Sequence, residues 1–431
     1  LFSLIFYSCG GWRLMPLIVL SIGVNYVCGL LAGNPRWRRT GLWTAVIFDV
    51  GMLMVFKYTN FLLSNLSHII PGLPSPEIVL PIGISFYTFQ SMSYVIDVYR
   101  GQEKPARNPF HTALYIVLFP QLIAGPIVRY TDVAKDITAR RETIEDAAAG
   151  VQRFLFGMAK KVLLANPMGE IAGEVFGQRA AMLSTGLAWL GVLAYTAQIY
   201  FDFSGYSDMA IGLGRIFGFH FGENFRYPYI SQSITEFWRR WHISLSSWFR
   251  DYVYIPLGGS RVSRKRQIWN LLAVWSLTGL WHGAAWNFVL WGLFYAVLLM
   301  GERWLWGKAV STAPRPIRHI YAMVLIMLGW LLFRSESLTQ VWTFLTAMFG
   351  KASDGLWNQQ ASYLVLQYRW EWLLAVLASL PLKPMLELSR NPEKISILKT
   401  AGPPAIALAL GGISVIHLVS SGFNPFIYFQ F

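Results

Sequence analysis

Two histidines lie in sequence surroundings that could support proton-transfer chemistry. His282 occurs in Gly-Leu-Trp-His-Gly, inside a run of 35 residues between Arg266 and Glu302 that contains no Asp, Glu, Lys or Arg. An imidazole titrates near neutral pH and can take a proton from an attacking hydroxyl group, so His282 is a candidate general base. His242, in Trp-Arg-Arg-Trp-His, is the second candidate. Its alternative role is that of an interfacial hydrogen-bonding group.

The uncharged run around His282 is too long to cross a membrane as one straight helix. Its 35 residues would measure about 52 Å, against a hydrocarbon core of roughly 30 Å. We therefore expect a break near Gly279 and Gly283, which would place His282 beside backbone that lines a cavity or is buried in protein. In the alternative, structural interpretation the two glycines form a helix-packing face, and His282 is a satisfied hydrogen-bonding group.

Three carboxylates also fall in or beside apolar segments. Asp202 and Asp208 follow a charge-free run of 22 residues, and Asp97 closes another apolar segment. A charge at bilayer depth costs on the order of 3 kcal/mol, so these groups are expected to be paired or to face water. Their structural alternative is to anchor a re-entrant turn or to pair with an arginine such as Arg239 or Arg250.

Other catalytic signatures do not occur in the sequence. It contains no phosphate-binding P-loop, no nucleophile elbow, no His-Glu-x-x-His and no Cys-x-x-Cys. Cys9 and Cys28 lie in apolar surroundings and provide neither a disulfide framework nor a zinc site. A metal is therefore not expected.

The composition indicates an integral membrane protein. Of the 431 residues 55% are apolar and 13% are charged, whereas soluble domains carry about 25% charged residues. The net charge of +14 lies in short clusters between apolar runs, as expected of cytoplasmic loops. No basic face with stacking aromatics lies outside the apolar segments, so nucleic-acid binding is not expected. The clusters are Arg36, Arg38 and Arg39; Lys160 and Lys161; and Arg264, Lys265 and Arg266.

The apolar segments predict a polytopic all-α protein that forms one membrane-embedded domain over residues 1–431. About nine to eleven segments are long enough to enter a bilayer, and the alternating pattern of a membrane barrel is absent. No internal repeat supports the inverted-repeat architecture of many transporters. The candidate segments are 14–32, 41–58, 78–99, 110–128, 185–201, 204–219, 268–281, 283–301, 317–333, 361–380 and 403–421.

Two more polar regions, 129–170 and 222–266, are expected to lie at the membrane interface, the first as amphipathic helix with a connecting loop. In the second, Ser233 is the predicted N-cap of a helix, with Glu236 at the capping-box position. Apolar side chains then recur every three or four residues, which predicts one amphipathic helix half-sunk in the membrane. They are Trp238, Trp241, Leu245, Trp248 and Tyr252.

Together these segments resemble the membrane-bound O-acyltransferase family, and within it the members that acetylate alginate-like exopolysaccharides. The resemblance extends from about residue 20 to the final Phe-Ile-Tyr-Phe-Gln-Phe. Family members usually have a longer segment before Arg36, so an early span is expected to be missing from this chain. The matching stretches are LPIGISFYTFQSMSYVIDVYRG (80–101), FPQLIAGPIVRY (119–130), AYTAQIYFDFSGYSDMAIGLG (194–214), ENFRYPYISQSITEFWRRWHISLSSWFRDYVYIPLGGSR (223–261) and GLWHGAAWNFVLWG (279–292).

The resemblance implies that His282 is catalytic and that His242 is a second acid or base, or a positioning group. It also implies a ring of tilted helices, with re-entrant and interfacial helices around a central tunnel between the two histidines. The expected donor is cytosolic acetyl-CoA, the acceptor an extracytoplasmic polysaccharide, and the location the bacterial inner membrane. Family members commonly work with an extracytoplasmic partner, often of the SGNH-hydrolase type.

Two alternatives stay open at this stage. Within the family, the acceptor could instead be cellulose, peptidoglycan or teichoic acid. Outside it, a non-enzymatic transporter could use the intramembrane Asp and His side chains to line a permeation path.

Overall fold

A computed structural model of the chain describes residues 2–73, 78–123, 125–381, 392–420 and 426. These ranges are mostly helical and contain no β-strand, which confirms the predicted all-α class. The first helices are α1 (Phe2–Cys9), α2 (Met15–Ala32), α3 (Arg38–Leu53), α4 (Thr59–Ser67), α5 (Ile84–Arg100), α6 (Pro109–Val117), α7 (Phe119–Leu122), α8 (Tyr130–Ala139), α9 (Ile144–Ala159) and α10 (Asn166–Phe176). They are followed by α11 (Thr185–Ile216), α12 (Ile234–Arg240), α13 (Ile243–Phe249), α14 (Arg264–His282), α15 (Trp286–Trp304), α16 (Gly307–Thr312), α17 (Arg315–Arg334), α18 (Leu338–Met348), α19 (Gln359–Gln367), α20 (Arg369–Ser379) and α21 (Pro392–Ser420).

Shorter segments extend or join these helices. Three π-helical segments, Met54–Tyr58, Lys160–Ala165 and Arg250–Tyr254, directly continue α3, α9 and α13. Such segments are often found at functional sites. Of the C-terminal sequence Phe-Ile-Tyr-Phe-Gln-Phe, only Phe426 lies within the described residues.

Several helices are suited to a bilayer, which makes the chain a multi-pass membrane protein. Four described stretches have the length and mean hydropathy of a membrane span. Large apolar side chains on them are exposed, for example Ile47, which is 69% exposed, and Val419, which is 83% exposed. Such surfaces are unusual on a soluble monomer and suit contact with lipid. The number of segments, about nine to eleven, stays a prediction. The four stretches are Trp12–Ala32, Arg38–Ser67, Arg315–Arg334 and Gly402–Ser420.

The prediction of separate spans at 185–201 and 204–219 is wrong, because α11 runs through both as one helix of 32 residues. Asp208, which favoured a break, is instead paired within the helical bundle. Its carboxylate lies 2.6 Å from Lys160 Nζ and 2.8 Å from Arg153 Nη2, in place of the predicted Arg239 or Arg250. Asp202 lies 2.8 Å from Lys161 Nζ. Cations on a neighbouring helix thus allow both carboxylates to lie within α11.

The helical interpretation of residues 129–170 agrees with the structure, and it includes Lys160 and Lys161, which the charge pattern alone had grouped with loops. They lie in the π-helical segment between α9 and α10, so that residues 144–176 are helical without interruption. This stretch packs closely along α11 at two pairs of glycines. A Cβ atom on Gly212 would lie 2.5 Å from Gly150 O, and one on Gly205 would lie 2.7 Å from Gly157 O. The location of residues 129–170 at a membrane interface stays a prediction.

The predicted single amphipathic helix in residues 222–266 is wrong, because the helix breaks at His242. Ser233 caps α12 as predicted, since its Oγ accepts a hydrogen bond of 3.0 Å from Glu236 N. Glu236 reaches back to Gln232 N, one residue before the expected capping-box partner. His242 then adopts the left-handed conformation with a φ of 43°, and α13 begins at the next residue. His242 therefore joins two short helices.

The break expected in the uncharged run is confirmed. The helix α14 ends at His282, Gly283 is extended, and α15 begins at Trp286. The glycine-packing interpretation also holds, because a Cβ atom on Gly279 would collide with Phe288 O of α15. The two interpretations are compatible: close packing of α14 on α15 positions the break that follows His282.

Candidate active site

His282 is the last residue of α14, and aromatic rings surround it. Its side chain is buried, with 7% of the residue exposed. The ring centroids of Trp281, Trp291 and Phe333 lie 4.9, 5.0 and 5.2 Å from that of His282, each in an edge-to-face arrangement. This packing restricts the orientation of the imidazole.

A cavity of about 170 Å³ borders His282, and we refer to it as the His282 cavity. Its polar lining comes from Lys57 and Ser85 together with the imidazole, and apolar lining comes from residues 80–82. His282 is therefore not sealed in tight packing. A small group entering this cavity would meet a potential base and a cation.

The His282 cavity lies far from the basic clusters along the helices that line it. His282 is about 27 Å from Arg264 along α14, and Lys57 is about 28 Å from Arg38 along its helical stretch, at 1.5 Å per residue. Both helices begin at a basic cluster and approach the cavity near their other end. The cavity thus lies toward the face opposite these clusters.

The second predicted residue, His242, is completely buried and has a defined tautomer. Its Nδ1 lies 3.1 Å from Asn224 Oδ1, which also lies 3.3 Å from the backbone N–H of Ser244. Because that N–H can only donate, Asn224 Oδ1 is an acceptor, and the proton of a neutral His242 belongs on Nδ1. Its Nε2 then carries a lone pair, and this atom has no hydrogen-bond partner among the described residues.

The structure brings His282 and His242 to the same tryptophan. The ring centroid of Trp281 lies 5.8 Å from that of His242 and 4.9 Å from that of His282. The two histidines, 40 positions apart in the sequence, thus both lie next to one aromatic side chain. Two imidazoles that are close together can serve two proton-transfer steps at one reaction centre.

A larger cavity of about 570 Å³ borders the residue that orients His242, and we refer to it as the Asn224 cavity. Arg153, Lys160 and Arg226 contribute cationic groups to its lining. Arg153 also contacts two carboxylates, those of Asp208 and Glu223. The cavity therefore combines a polar, charged wall with Asn224, the residue that contacts His242.

The helix that precedes His242 begins at the face remote from the His282 cavity. Glu302, near the end of α15, accepts hydrogen bonds of 2.6 and 2.8 Å from the backbone N–H groups of Ile234 and Thr235. Since α15 begins just after His282, its Glu302 end lies about 24 Å away along the helix. The helix α12 therefore runs inward from that end, and His242, which follows it, lies next to Trp281.

Asp97, the third predicted carboxylate, contributes to neither cavity. It is fully buried, and its Oδ1 accepts a hydrogen bond of 2.7 Å from the Tyr252 hydroxyl. Asp202 and Asp208 differ, since Asp208 lines the Asn224 cavity while Asp202 pairs with Lys161. In the described parts of the chain, no group of three or more His, Cys, Asp or Glu side chains could hold a metal ion.

Two residues of this site were missed by the sequence analysis. Lys57 lies within the predicted span 41–58, and a lone charge inside an apolar segment is itself a signal of function. Asn224 had no comparable signal, because a single polar residue after a helix is common. Its importance follows only from its contact with His242.

Comparison with known proteins decides the family. A family model described as the membrane-bound O-acyltransferase family matches residues 108–339, which include both histidines. The chain belongs to this family. It is therefore a membrane-bound enzyme that transfers an acyl group to an oxygen, and its family implies an acyl donor.

Several relatives of this membrane-bound O-acyltransferase carry more specific names. A probable alginate O-acetylase, AlgI, of Azotobacter vinelandii is 41% identical, over 100% of this chain and 93% of the relative. A protein of the same name from Pseudomonas aeruginosa is 45% identical, over 83% of this chain and 69% of the relative. The peptidoglycan O-acetyltransferase of Helicobacter pylori is 35% identical, over 81% of this chain and 72% of the relative.

Proposed function

We propose that this enzyme transfers acetyl groups from cytosolic acetyl-CoA to an extracytoplasmic, alginate-like polysaccharide, in a bacterial inner membrane. The observation that carries the proposal is the position of His282 beside a cavity at the helix ends opposite the basic clusters. The names of the alginate relatives support the acceptor class. The relative from Helicobacter pylori supports peptidoglycan as a second candidate acceptor.

The basic clusters provide the proposed orientation. Under the positive-inside rule, Arg36 to Arg39 and Arg264 to Arg266 belong on the cytoplasmic side. The His282 cavity then faces the outside and receives the acceptor hydroxyl. We assign the Asn224 cavity to the cytoplasmic side, where it would receive the donor.

Cationic groups in the Asn224 cavity suit a CoA thioester. Arg153, Lys160 and Arg226 line this cavity, and guanidinium and ammonium groups bind phosphates through charge-assisted hydrogen bonds. A thioester arm that enters past Asn224 would approach His242 and then Trp281. In this arrangement only the acetyl group has to reach the outer half of the protein, along the tunnel that the family resemblance implies.

The two histidines support a direct transfer. His282 takes the proton of the acceptor hydroxyl while the hydroxyl oxygen attacks the thioester carbonyl carbon. The tetrahedral intermediate collapses, the carbon–sulfur bond breaks, and the CoA thiolate leaves and takes up the proton. The lone pair on His242 Nε2 allows His242 to accept this proton from protonated His282 and to pass it to the thiolate. The acceptor hydroxyl belongs either to the sugar or to an SGNH-hydrolase-type partner that completes the acetylation.

Replacement of His282 tests the proposal. We expect His282→Ala to abolish acetylation of the exopolysaccharide, measured by mass analysis of the polymer, while expression and the detergent-extracted fold are unchanged. His68→Ala is a matched control, because His68 is exposed. Near-normal acetylation by the His282 variant would remove the catalytic assignment. A transporter would not cleave acetyl-CoA, so thiol release by the purified protein separates the two function classes.

A further inference from the structure

Lys57 is a buried cation that has no carboxylate partner among the described residues. Only 9% of the residue is exposed. Its Nζ donates a hydrogen bond of 3.0 Å to Ser85 Oγ and a second one to the backbone carbonyl of Trp281. Within the described ranges no Asp or Glu oxygen lies within 4.0 Å of Lys57 Nζ. Each of its two acceptors is neutral.

Burying the Lys57 charge without a carboxylate partner is energetically unfavourable. Removing an ammonium group from water costs several kcal/mol or more, and neutral acceptors recover only part of that. Lys161, another buried lysine of the bundle, lies 2.8 Å from the carboxylate of Asp202. Methionine would fill the space of Lys57 without the cost of burying a charge. The charge is therefore best explained by an anion that is present only during the reaction.

The local geometry directs Lys57 to the reaction centre. It lies in the π-helical segment Met54–Tyr58, directly before Tyr58. The Tyr58 hydroxyl donates a hydrogen bond of 2.9 Å to Leu280 O, while Lys57 donates one to Trp281 O. The two side chains thus cap successive carbonyls of the last turn of α14, whose final residue is His282.

Lys57 also lines the His282 cavity. An ammonium group has three N–H donors, and two of them have acceptors in the protein. The third has no acceptor among the described residues and can bind a group in the cavity. One small cavity therefore presents a base on His282 and a hydrogen-bond donor with a positive charge on Lys57.

We propose that Lys57 is a catalytic residue that stabilises the oxyanion of the tetrahedral intermediate. When the acceptor oxygen attacks, the thioester carbonyl oxygen takes up the electron pair of its double bond and becomes negatively charged. The ammonium of Lys57 balances this charge by a hydrogen bond and transfers no proton. Collapse of the intermediate restores the carbonyl and expels the CoA thiolate. A preorganised donor in a water-poor site is effective for this step.

The role deepens the proposed function and rests on it, but it can fail separately. Purified protein is given acetyl-CoA, alone or with alginate oligosaccharides, and thiol release and acetyl transfer are measured. We expect Lys57→Met to reduce kcat about 10²- to 10³-fold with little change in KM for acetyl-CoA, as found when an oxyanion donor is removed. Lys57→Gln, which keeps a donor but no charge, should also lose most activity. If His282→Ala is inactive and both Lys57 variants are normal, only the role of Lys57 is wrong.

Tyr58→Phe is the matched control for a purely structural effect. It removes the neighbouring cap from the same turn of α14 without a change of charge. We expect it to lower kcat far less than Lys57→Met. Equal losses in the two variants would mean that Lys57 merely caps the helix, and the proposal would be overturned. A higher KM for the charged oligosaccharide with unchanged kcat would overturn it as well, since Lys57 would then recognise the acceptor.

Discussion

Asn224 Oδ1 lies 3.1 Å from Nδ1 of His242 and determines which imidazole nitrogen carries the proton. The same oxygen accepts a hydrogen bond of 2.9 Å from Ser244 Oγ. On the other side of the amide, Asn224 Nδ2 donates a hydrogen bond of 3.0 Å to Ser207 Oγ. Asn224 is itself buried. His242 is thus held by a side chain whose own amide orientation is set by two serines.

This relationship predicts that Asn224 is required for activity although it carries no charge. Asn224→Leu removes the acceptor of the Nδ1 proton, so that Nε2 no longer has a defined lone pair. We expect the acetylation rate to fall by about 10²-fold, the lower end of what a positioned acid or base contributes. Ser244→Ala should retain most activity, because the backbone N–H of residue 244 still orients Asn224 Oδ1. Equal rates in the two variants would contradict the assigned role of Asn224.

The backbone of His242 leads to a second prediction. Its φ of 43° is unfavourable for most L-residues by roughly 1–2 kcal/mol, and asparagine tolerates it better than β-branched residues do. His242→Asn should therefore fold with nearly normal thermal stability and lose activity. His242→Val should lose activity and also melt at a lower temperature. Identical melting temperatures for the two variants would show that the left-handed conformation does not matter for stability.

The glycine contacts between α9 and α11 lead to a third prediction. Gly212→Ala would place its Cβ 2.5 Å from Gly150 O, so the two helices would have to separate. We expect a loss of stability of about 1–3 kcal/mol, as is typical of overpacking. Gly173→Ala in α10 is the control, because no described atom outside its own stretch of helix lies within 4 Å of the added Cβ. It should be neutral or stabilising by up to about 1 kcal/mol, as judged by thermal melting in detergent.

The orientation of the chain can be measured by cysteine labelling. Val79 is 68% exposed and lies next to the residues that line the His282 cavity, whereas Lys265 belongs to a basic cluster. In a background without the exposed Cys9, a membrane-impermeant maleimide should label Val79→Cys in intact cells. It should label Lys265→Cys only after the cells are opened. The reverse pattern would place the His282 cavity on the cytoplasmic side and contradict the proposed route.

Much of this protein follows from its sequence because the bilayer imposes simple limits. A low fraction of charge and long apolar runs require a helical membrane protein. The 35 uncharged residues around His282 exceed one membrane crossing, so a break had to occur, and the structure has it directly after His282. The two histidine motifs, which resemble those of the family, were likewise visible in the sequence.

Tertiary structure alone decided how the histidines are supported. Lys57 contacts the carbonyl of Trp281, 224 positions away in the chain, and no local pattern encodes such a contact. The side chain of His242 is oriented by Asn224, and the carboxylates within α11 are paired with lysines of another helix. Local sequence limits what each segment can form. Charges, strained backbone and buried polar groups are stabilised by residues that only folding brings near.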